Sequence, residues 1–195
     1  MQLDPVQFNE LVRSRRSVFP SQFDTTRKIP DEIVRQILIN ATWAPNHGKE
    51  EPWMFRVFTG NGLQTLADLQ SRLYKELGGE KFKEDKYAKL KERPLLASHI
   101  ISIGMKRTTG KHIPEIEDVE AVACAVQNMY LSTTAYGLGG YWTTGGVTYM
   151  EQAKYHFGLQ EHDRLLGFFY MAHIAVPSPT ASRRSIDEKV QWITD

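Results

Sequence analysis

The most constraining feature of this chain is a long helical pattern, rich in Ala, Val and Met, between residues 116 and 136. Gly137 follows directly, where a glycine commonly ends a helix in the left-handed conformation. So apolar a helix must be covered by other parts of the chain, and we expect it to be the central buried helix. Cys124, the only cysteine, lies within it and is therefore predicted to be a buried, unreactive thiol.

Shorter periodic segments on both sides of this helix predict a mixed fold. We expect strands at residues 53–58, 98–105, 139–144 and 165–176, and further helices near residues 5–15, 30–41, 63–77 and 80–93. The segment 53–58 is apolar at nearly every position, so both of its faces are expected to be buried. Helices and strands alternate unevenly, which favours an α+β fold around one central sheet.

Local signals predict several helix ends. Asp4 before Pro5 is typical of an N-cap followed by the first helical residue. Thr148 with Glu151 has the spacing of a capping box for a late helix, which Gly158 would end.

Length and composition exclude several classes of protein. The 195 residues favour one domain, residues 1–195, and 24 Lys and Arg against 23 Asp and Glu give no basic field for nucleic acid. No apolar run reaches the roughly 20 residues that span a bilayer, so no membrane segment is expected. A single cysteine and a start without a signal pattern fit a cytoplasmic protein. The six histidines lack metal-binding spacing, so no metal site is predicted.

Arg15, Arg16 and Ser17 place two guanidinium groups and a hydroxyl next to one another at the end of the first helix. Guanidinium groups match the geometry of phosphate, so the tripeptide is a candidate phosphate site. The alternative is that the arginines simply suit the negative end of a helix.

The segment Ala44–Phe55 joins a Pro-Asn-His-Gly loop to a Pro-Trp-x-Phe strand entrance. Asn46 and His47 could hydrogen-bond a polar ring or a ribityl chain, and Gly48 permits close backbone approach. The alternative is a polar helix-to-strand turn.

A glycine-rich stretch follows the long helix at residues 137–146. It is not a dinucleotide fingerprint, because G-x-G-x-x-G is absent and the order is helix to strand. Its backbone could still approach a flat ligand, with Trp142 beside it; a helix cap and a glycine-rich turn explain it equally well. The lysine-rich segment 80–93 favours a solvated amphipathic helix, and Arg183 with Arg184 could reach a phosphate or keep the tail soluble.

Taken together, these segments resemble the nitroreductase family of FMN-dependent oxidoreductases, in particular its compact NAD(P)H nitroreductase members. The resemblance covers nearly the whole chain. It rests on the order of five motifs: Arg15-Arg16-Ser17, Ala44-Pro45-Asn46-His47, Pro52-Trp53-x-Phe55, Gly139-Gly140-Tyr141-Trp142 and Leu166-Gly167-Phe168-Phe169-Tyr170. It implies a mainly antiparallel sheet flanked by helices, and an intertwined homodimer with two FMN molecules at its interface.

The resemblance also implies roles for individual residues. Arg15, Arg16 and Ser17 would hold the phosphate and ribityl chain, and residues Trp142, Thr143 and Thr144 would lie along the flavin. His47, with Trp43 nearby, would approach from the partner subunit, and Arg183 and Arg184 would add a phosphate contact. Where many members have Gln before Pro-Trp, this chain has Glu51, which could alter redox tuning or substrate preference.

The implied activity is ping-pong reduction. NAD(P)H would pass a hydride to the flavin, which would then reduce a nitroaromatic, a quinone or a related small acceptor; no catalytic acid or base is assigned. Two alternatives remain: a flavoenzyme of the same fold with a dedicated reaction, such as dehalogenation or flavin destruction, and a flavin-binding protein without enzymatic activity.

Overall fold

The computed structural model describes residues 4–108, 110 and 112–194. The helices in this part of the chain are α1 (Pro5–Ser14), α2 (Asp31–Ala41), α3 (Asn61–Leu77), α4 (Glu84–Glu92) and α5 (Glu115–Ala135). The strands are β1 (Phe23–Asp24), β2 (Trp53–Thr59), β3 (His99–Met105), β4 (Gly139–Thr143) and β5 (Arg164–Ile174). Short 3-10 segments, such as His47–Lys49 and Glu151–Phe157, connect them. None of the described helices is long and apolar enough to cross a bilayer.

The strands form one antiparallel sheet with β5 in the middle. One edge of β5 pairs with β3, which in turn pairs with β2. The other edge pairs with β4 and, near its end, with β1. The predicted α+β fold with a central antiparallel sheet is therefore confirmed.

Helices cover both faces of this sheet. Because side chains alternate along a strand, Ile100 packs with the α3 residues Leu66 and Leu73, whereas Ile101 packs with Val126 and Met129 of α5. All seven residues of β3 are buried as a result. The sheet thus lies between α3 and α4 on one side and α2 and α5 on the other.

The expectation that the segment 53–58 is buried on both faces is wrong. These residues form most of β2, which is an edge strand because β3 is its only neighbour among the described residues. Val57 remains 43% exposed. An apolar run can belong to the edge of a sheet, because sequence does not reveal which strands have two neighbours.

The long helix α5 is buried along one side only, and the prediction of a buried Cys124 is wrong. Ala125 and Val126 face the core, whereas Cys124 and Gln127 are exposed. A 3.6-residue repeat turns neighbouring positions to opposite sides, so an apolar composition alone did not show which side the sheet would cover.

Most predicted helix ends are confirmed, and one is wrong. Asp4 caps α1 by accepting a hydrogen bond from the Val6 amide at 2.9 Å, and Gly137 follows α5 with a φ of 67°. Thr148 forms no capping box, because its hydroxyl donates to the Gly145 carbonyl instead. The segment that follows is a 3-10 helix, which Gly158 ends in the left-handed conformation.

Candidate functional site

The tripeptide predicted to bind phosphate directly follows α1 and is fixed against the sheet. The Arg16 guanidinium donates to the carbonyls of Arg13 and Arg15 at 2.6 and 2.9 Å. Ser17 forms a parallel bridge with Gly140, and the Val18 amide donates to the Gly140 carbonyl at 2.9 Å. The end of α1 is therefore held beside β4.

Arginines converge on one open cleft beside this segment. The cleft, which we call the basic cleft, has a volume of about 620 Å³ and is lined by Val12, Arg13, Arg15, Arg16, Gln127, Ala181 and Arg183. It has four guanidinium groups and no carboxylate in its lining. Its donors match an anion with several acceptor oxygens, such as a phosphate.

Tyr130 of α5 joins the basic cleft to the glycine-rich segment. Its ring lies 5.1 Å from the Arg15 guanidinium carbon, and its hydroxyl accepts a hydrogen bond from the Trp142 amide at 2.7 Å. The Ser17 and Tyr130 hydroxyl oxygens are 3.3 Å apart. We call these four residues the tyrosine junction. It holds the arginine segment, α5 and β4 in one arrangement.

The next part of the candidate site lies at the end of β4. The Trp142 indole is half-buried, with its N–H donating to the Leu166 carbonyl at 2.9 Å, and Thr144 is exposed. A Cβ at Gly167 would lie 2.3 Å from the Thr143 carbonyl oxygen, so β4 can approach β5 this closely only because residue 167 has no side chain. The backbone at 142–144 is thus fixed from both sides.

His47 lies away from the basic cleft in the same chain, and Trp43 does not line that cleft. His47 Nδ1 is 2.6 Å from Glu117 Oε2, near the start of α5, whereas Tyr130 lies near its end. With a rise of about 1.5 Å per residue, roughly 20 Å of helix separates these two contacts. Trp43 is 83% exposed. One chain therefore brings together Arg15, Arg16, Ser17, Trp142 and Arg183. His47 lies apart from them, and Trp43 does not line the cleft.

The loop that carries His47 has an unusual backbone. Gly48, Lys49 and Glu51 have φ values of 60°, 57° and 47°, a conformation that costs energy for residues other than glycine. Asn46 supports the loop, because its side-chain oxygen accepts a hydrogen bond from the Glu51 amide at 3.0 Å. Such strain is concentrated at functional sites in proteins, which makes this loop a candidate for ligand contact.

The start of α5 is acidic. The first turn carries Glu115, Glu117 and Asp118, which suit the positive end of the helix dipole. A hydrogen bond from Arg164 lowers the pKa of Glu115, whereas burial raises the pKa of Asp118, an effect that the nearby Arg107 opposes. His47 therefore faces an acidic helix start, whereas the basic cleft lies near the other end.

The remaining predicted residues fall outside the tyrosine junction. Arg183 lines the basic cleft, and its guanidinium donates to the Ser182 carbonyl at 2.9 Å. Arg184 is exposed and does not line the cleft. Thr143 faces a different pocket, between β4 and α4.

Sequence reasoning missed Tyr130 and Glu117, which make the key contacts of α5. Tyr130 carries a polar group within an apolar helix, and a mostly buried phenol normally needs a hydrogen-bond partner. That signal was available in the sequence. Glu117 offered none beyond the general preference for acidic residues in a first helical turn.

Comparisons with known proteins show the family to which the chain belongs. The model of the Nitroreductase family matches residues 12–173. The Escherichia coli K12 protein named "Putative NAD(P)H nitroreductase YdjA" is 29% identical over 157 residues, which cover 76% of this chain and 84% of that protein.

Two solved structures extend the likeness to the whole chain. A nitroreductase-like family protein from Bacillus cereus is 26% identical with a TM-score of 0.81, and the match covers 100% of both chains. The Mycobacterium smegmatis FMN-dependent nitroreductase NfnB, solved in complex with NADPH, is 17% identical with a TM-score of 0.76; the match covers 98% of this chain and 100% of that one. This last likeness concerns the fold alone. Since the family model covers most of the chain, the protein belongs to the Nitroreductase family.

Proposed function

We propose that this protein is an FMN-dependent oxidoreductase that uses NAD(P)H to reduce nitroaromatics, quinones or related small acceptors in a ping-pong order. We further propose that residues 1–195 act as one domain, in the cytoplasm, as a homodimer. The observation that carries the proposal is the basic cleft, in which Arg15, Arg16 and Arg183 meet without any carboxylate. Relatives named for FMN and NAD(P)H support the choice of cofactors.

The donors of the basic cleft fit the phosphate of FMN. Arg15 and Arg16 would neutralise its charge, and Arg183 would close the site from the tail of the chain. The ring of Tyr130 holds Arg15 in place, and the Ser17 hydroxyl beside it would donate to the phosphate or the ribityl chain. These residues bind and orient the cofactor.

Bound FMN would supply the redox chemistry, hydride transfer from NAD(P)H to the acceptor. The protein's part is to position the flavin along the backbone of Trp142, Thr143 and Thr144. The rigid pairing of β4 with β5 would keep that backbone in one place during both half-reactions. We assign no acid or base in the chain.

His47 completes the site only if it comes from a second copy, and Trp43 of that copy would accompany it. Roughly 20 Å of α5 separates the His47 contact from the tyrosine junction, so one chain does not present both to the same flavin. Exposed apolar side chains support a homodimer, because surfaces of this kind normally pack against another protein. Three of them lie on α1, with Val6, Phe8 and Val12 at 61%, 52% and 42% exposure.

The first experiment is a visible absorption spectrum of the purified protein, before and after anaerobic addition of NADH or NADPH. Flavin bands that bleach on addition are the expected result. Flavin bands that do not bleach would favour a binding protein without reductase activity. A colourless protein that takes up no added FMN would contradict the proposal.

A pair of variants tests the phosphate site itself. Arg15→Ala combined with Arg16→Ala should purify with little flavin, because the phosphate loses two charge-assisted partners. Arg35→Ala with Arg72→Ala is a control, since both arginines lie on helices away from the cleft. If the first variant retains as much FMN as the control, the phosphate is bound elsewhere.

Steady-state kinetics with a panel of acceptors separates general reductase activity from a dedicated reaction. Parallel double-reciprocal lines with nitroaromatics and quinones would support a ping-pong reductase. Turnover of a halogenated substrate, or loss of the flavin itself, in preference to these acceptors would support a dedicated flavoenzyme of the same fold.

A further inference from the structure

A second, small pocket lies across β4 from the basic cleft, and cationic side chains surround its mouth. It lies between α3, α4 and the paired strands β4 and β5, and has a volume of about 120 Å³. Its lining includes Lys86, Lys89 and Arg93, and no carboxylate. It shares no lining residue with the basic cleft.

The inner end of this pocket holds an unpaired buried donor. Gln70 of α3 lines the pocket and is only 1% exposed. Its side-chain nitrogen, Nε2, has no hydrogen-bond partner among the described residues, and is the one buried side-chain atom there without one. A buried amide N–H without a partner costs free energy, so this atom calls for an acceptor oxygen in the pocket.

The cations at the mouth are available to a ligand. Arg93 is exposed, and its guanidinium makes no hydrogen bond or ion pair with another described residue. Lys89 is held only by a surface pair with Asp85 at 3.0 Å, and Lys86 lies over the ring of Tyr74. Exposed pairs of this kind are weak and leave the ammonium group free to turn toward an anion.

The walls between the mouth and Gln70 are largely apolar. Leu90, Tyr141, Phe168 and Tyr170 line them. Burial raises the pKa of Tyr170, so its phenol stays protonated and adds no negative charge. The pocket therefore combines a short apolar channel with a positive entrance and an inner hydrogen-bond donor.

We propose that this pocket binds a small carboxylate, with Gln70 Nε2 donating to an oxygen at the inner end and Arg93 with the two lysines balancing the charge. The volume corresponds to about four water molecules, so the ligand, or the end of a larger acid that enters, has about five non-hydrogen atoms. The site is separate from flavin binding, although Thr143 borders it.

Propionate is the probe that tests this site. In the protein as isolated, the side-chain amide signals of Gln70 in a ¹H–¹⁵N spectrum, identified by their loss in Gln70→Leu, should shift saturably as propionate is added. Neutral propionamide should bind several-fold more weakly, since it lacks the charge. No saturable shift with propionate, as a water-filled pocket would give, or equal affinity for propionamide, would overturn the proposal.

Three variants separate binding from folding. Gln70→Leu removes the unpaired donor and should abolish propionate binding while leaving the unfolding temperature unchanged or higher. Gln64→Leu, on the exposed side of the same helix, should bind as the wild type does. Arg93→Gln should weaken binding about tenfold, as expected when a charged hydrogen-bond partner is lost. Wild-type affinity in both Gln70→Leu and Arg93→Gln would refute the assignment.

The Arg15→Ala, Arg16→Ala variant makes this test independent of the redox proposal. It should lose flavin yet bind propionate with unchanged affinity, because the basic cleft and the pocket share no residue. If propionate binding disappears together with the flavin, the carboxylate site belongs to the flavin site and is not a separate one.

Discussion

The Tyr130 hydroxyl connects parts of the chain that border the basic cleft. It accepts a hydrogen bond from the backbone of Trp142 and lies within hydrogen-bond reach of the Ser17 hydroxyl, while the ring beneath it packs against Arg15. One side chain thus links three chain segments that are far apart in the sequence. Its contribution is to hold these segments in place beside the cleft.

Replacing Tyr130 with phenylalanine tests this role. The ring and its contact with Arg15 remain, but the Trp142 amide loses its acceptor, which should lower the free energy of unfolding by about 1–2 kcal/mol. Urea denaturation measures the change. Tyr136→Phe, at a position that is 46% exposed, is the matched control. Equal midpoints for the two variants would show that the hydroxyl is not needed.

His99 makes stability depend on pH. It is 1% exposed, with Nε2 3.1 Å from Asp31 Oδ1 and Nδ1 2.9 Å from Ser98 Oγ. Burial lowers the pKa of His99, and the hydrogen bond to Asp31 opposes this only in part. Because the unfolded chain then takes up a proton more readily than the folded one, this histidine destabilises the fold as the pH falls below about 6.5.

Unfolding experiments between about pH 7.5 and pH 5 reveal this effect. The wild-type free energy of unfolding should fall with decreasing pH, and His99→Gln should reduce that slope while lowering stability at neutral pH. His162→Gln, at an exposed position, should keep the wild-type slope. An unchanged slope in His99→Gln would mean that other groups cause the pH dependence.

Asp163 fixes the entrance to β5. It is 3% exposed, and its two carboxylate oxygens accept hydrogen bonds from the Arg107 and Gln160 amides at 2.9 and 2.7 Å. The same side chain therefore closes the turn before β5 and ties it to the chain that leaves β3. A buried carboxylate that satisfies two backbone donors is difficult to replace.

Asp163→Ala should lower the free energy of unfolding by about 3 kcal/mol, because two amides lose their acceptor. Asp163→Asn keeps one acceptor oxygen and should cost about half as much. Thermal or urea unfolding distinguishes the two variants from the wild type. Asp85→Ala, which removes an exposed carboxylate paired with Lys89 in the first turn of α4, should lower stability by less than about 1 kcal/mol. A loss in Asp163→Ala no larger than in Asp85→Ala would contradict this account.

The sequence predicted elements well where a local cause decides the structure. Asp4 and Gly137 act through hydrogen bonds and backbone angles within a few residues, so their positions were enough to locate the helix ends. The Thr148–Glu151 spacing failed because other short-range contacts compete with a capping box: Thr148 donates to Gly145, and Glu151 pairs with Lys154, each three residues away. The capping-box spacing alone does not reveal such competitors.

The candidate site was predictable in its residue types but not in its arrangement. Arg15 and Arg16 lie near one end of the chain, and Arg183 lies near the other. Their residue type suggested phosphate binding, but the sequence did not show that they share one cleft. Tyr130 was missed because its role depends on the distance between α1 and β4, which only the fold determines. Cys124 was misplaced for a similar reason, because the covered side of α5 depends on where the sheet lies.

Because His47 and Arg15 are far apart in one chain, a subunit-mixing experiment tests whether each flavin site uses both subunits. We expect a variant with Arg15→Ala and Arg16→Ala, and a second with Trp43→Ala and His47→Ala, each to be inactive alone. If each flavin site uses both subunits, a mixed dimer carries both lesions in one site and none in the other. Equal mixing after refolding together should then restore about a quarter of the wild-type activity.

Two controls accompany this mixing experiment. Light scattering should give twice the mass of the 22.4 kDa chain for the wild type and for each variant. Mixing the variants without unfolding should restore little activity if the subunits exchange slowly. No recovery after joint refolding, with dimers formed normally, would mean that one chain contains every residue its flavin requires.

The exposed edge of β2 also affects the tendency of this protein to aggregate while it folds. An edge strand leaves one row of amides and carbonyls without strand partners, and half-exposed apolar residues such as Val57 make it a template for chains that have not finished folding. Arg56 stands in the middle of the strand, is exposed, and reaches the His156 carbonyl at 3.2 Å. A charge at this point discourages a further strand from joining. Arg56 therefore contributes to the solubility of the protein rather than to its binding site.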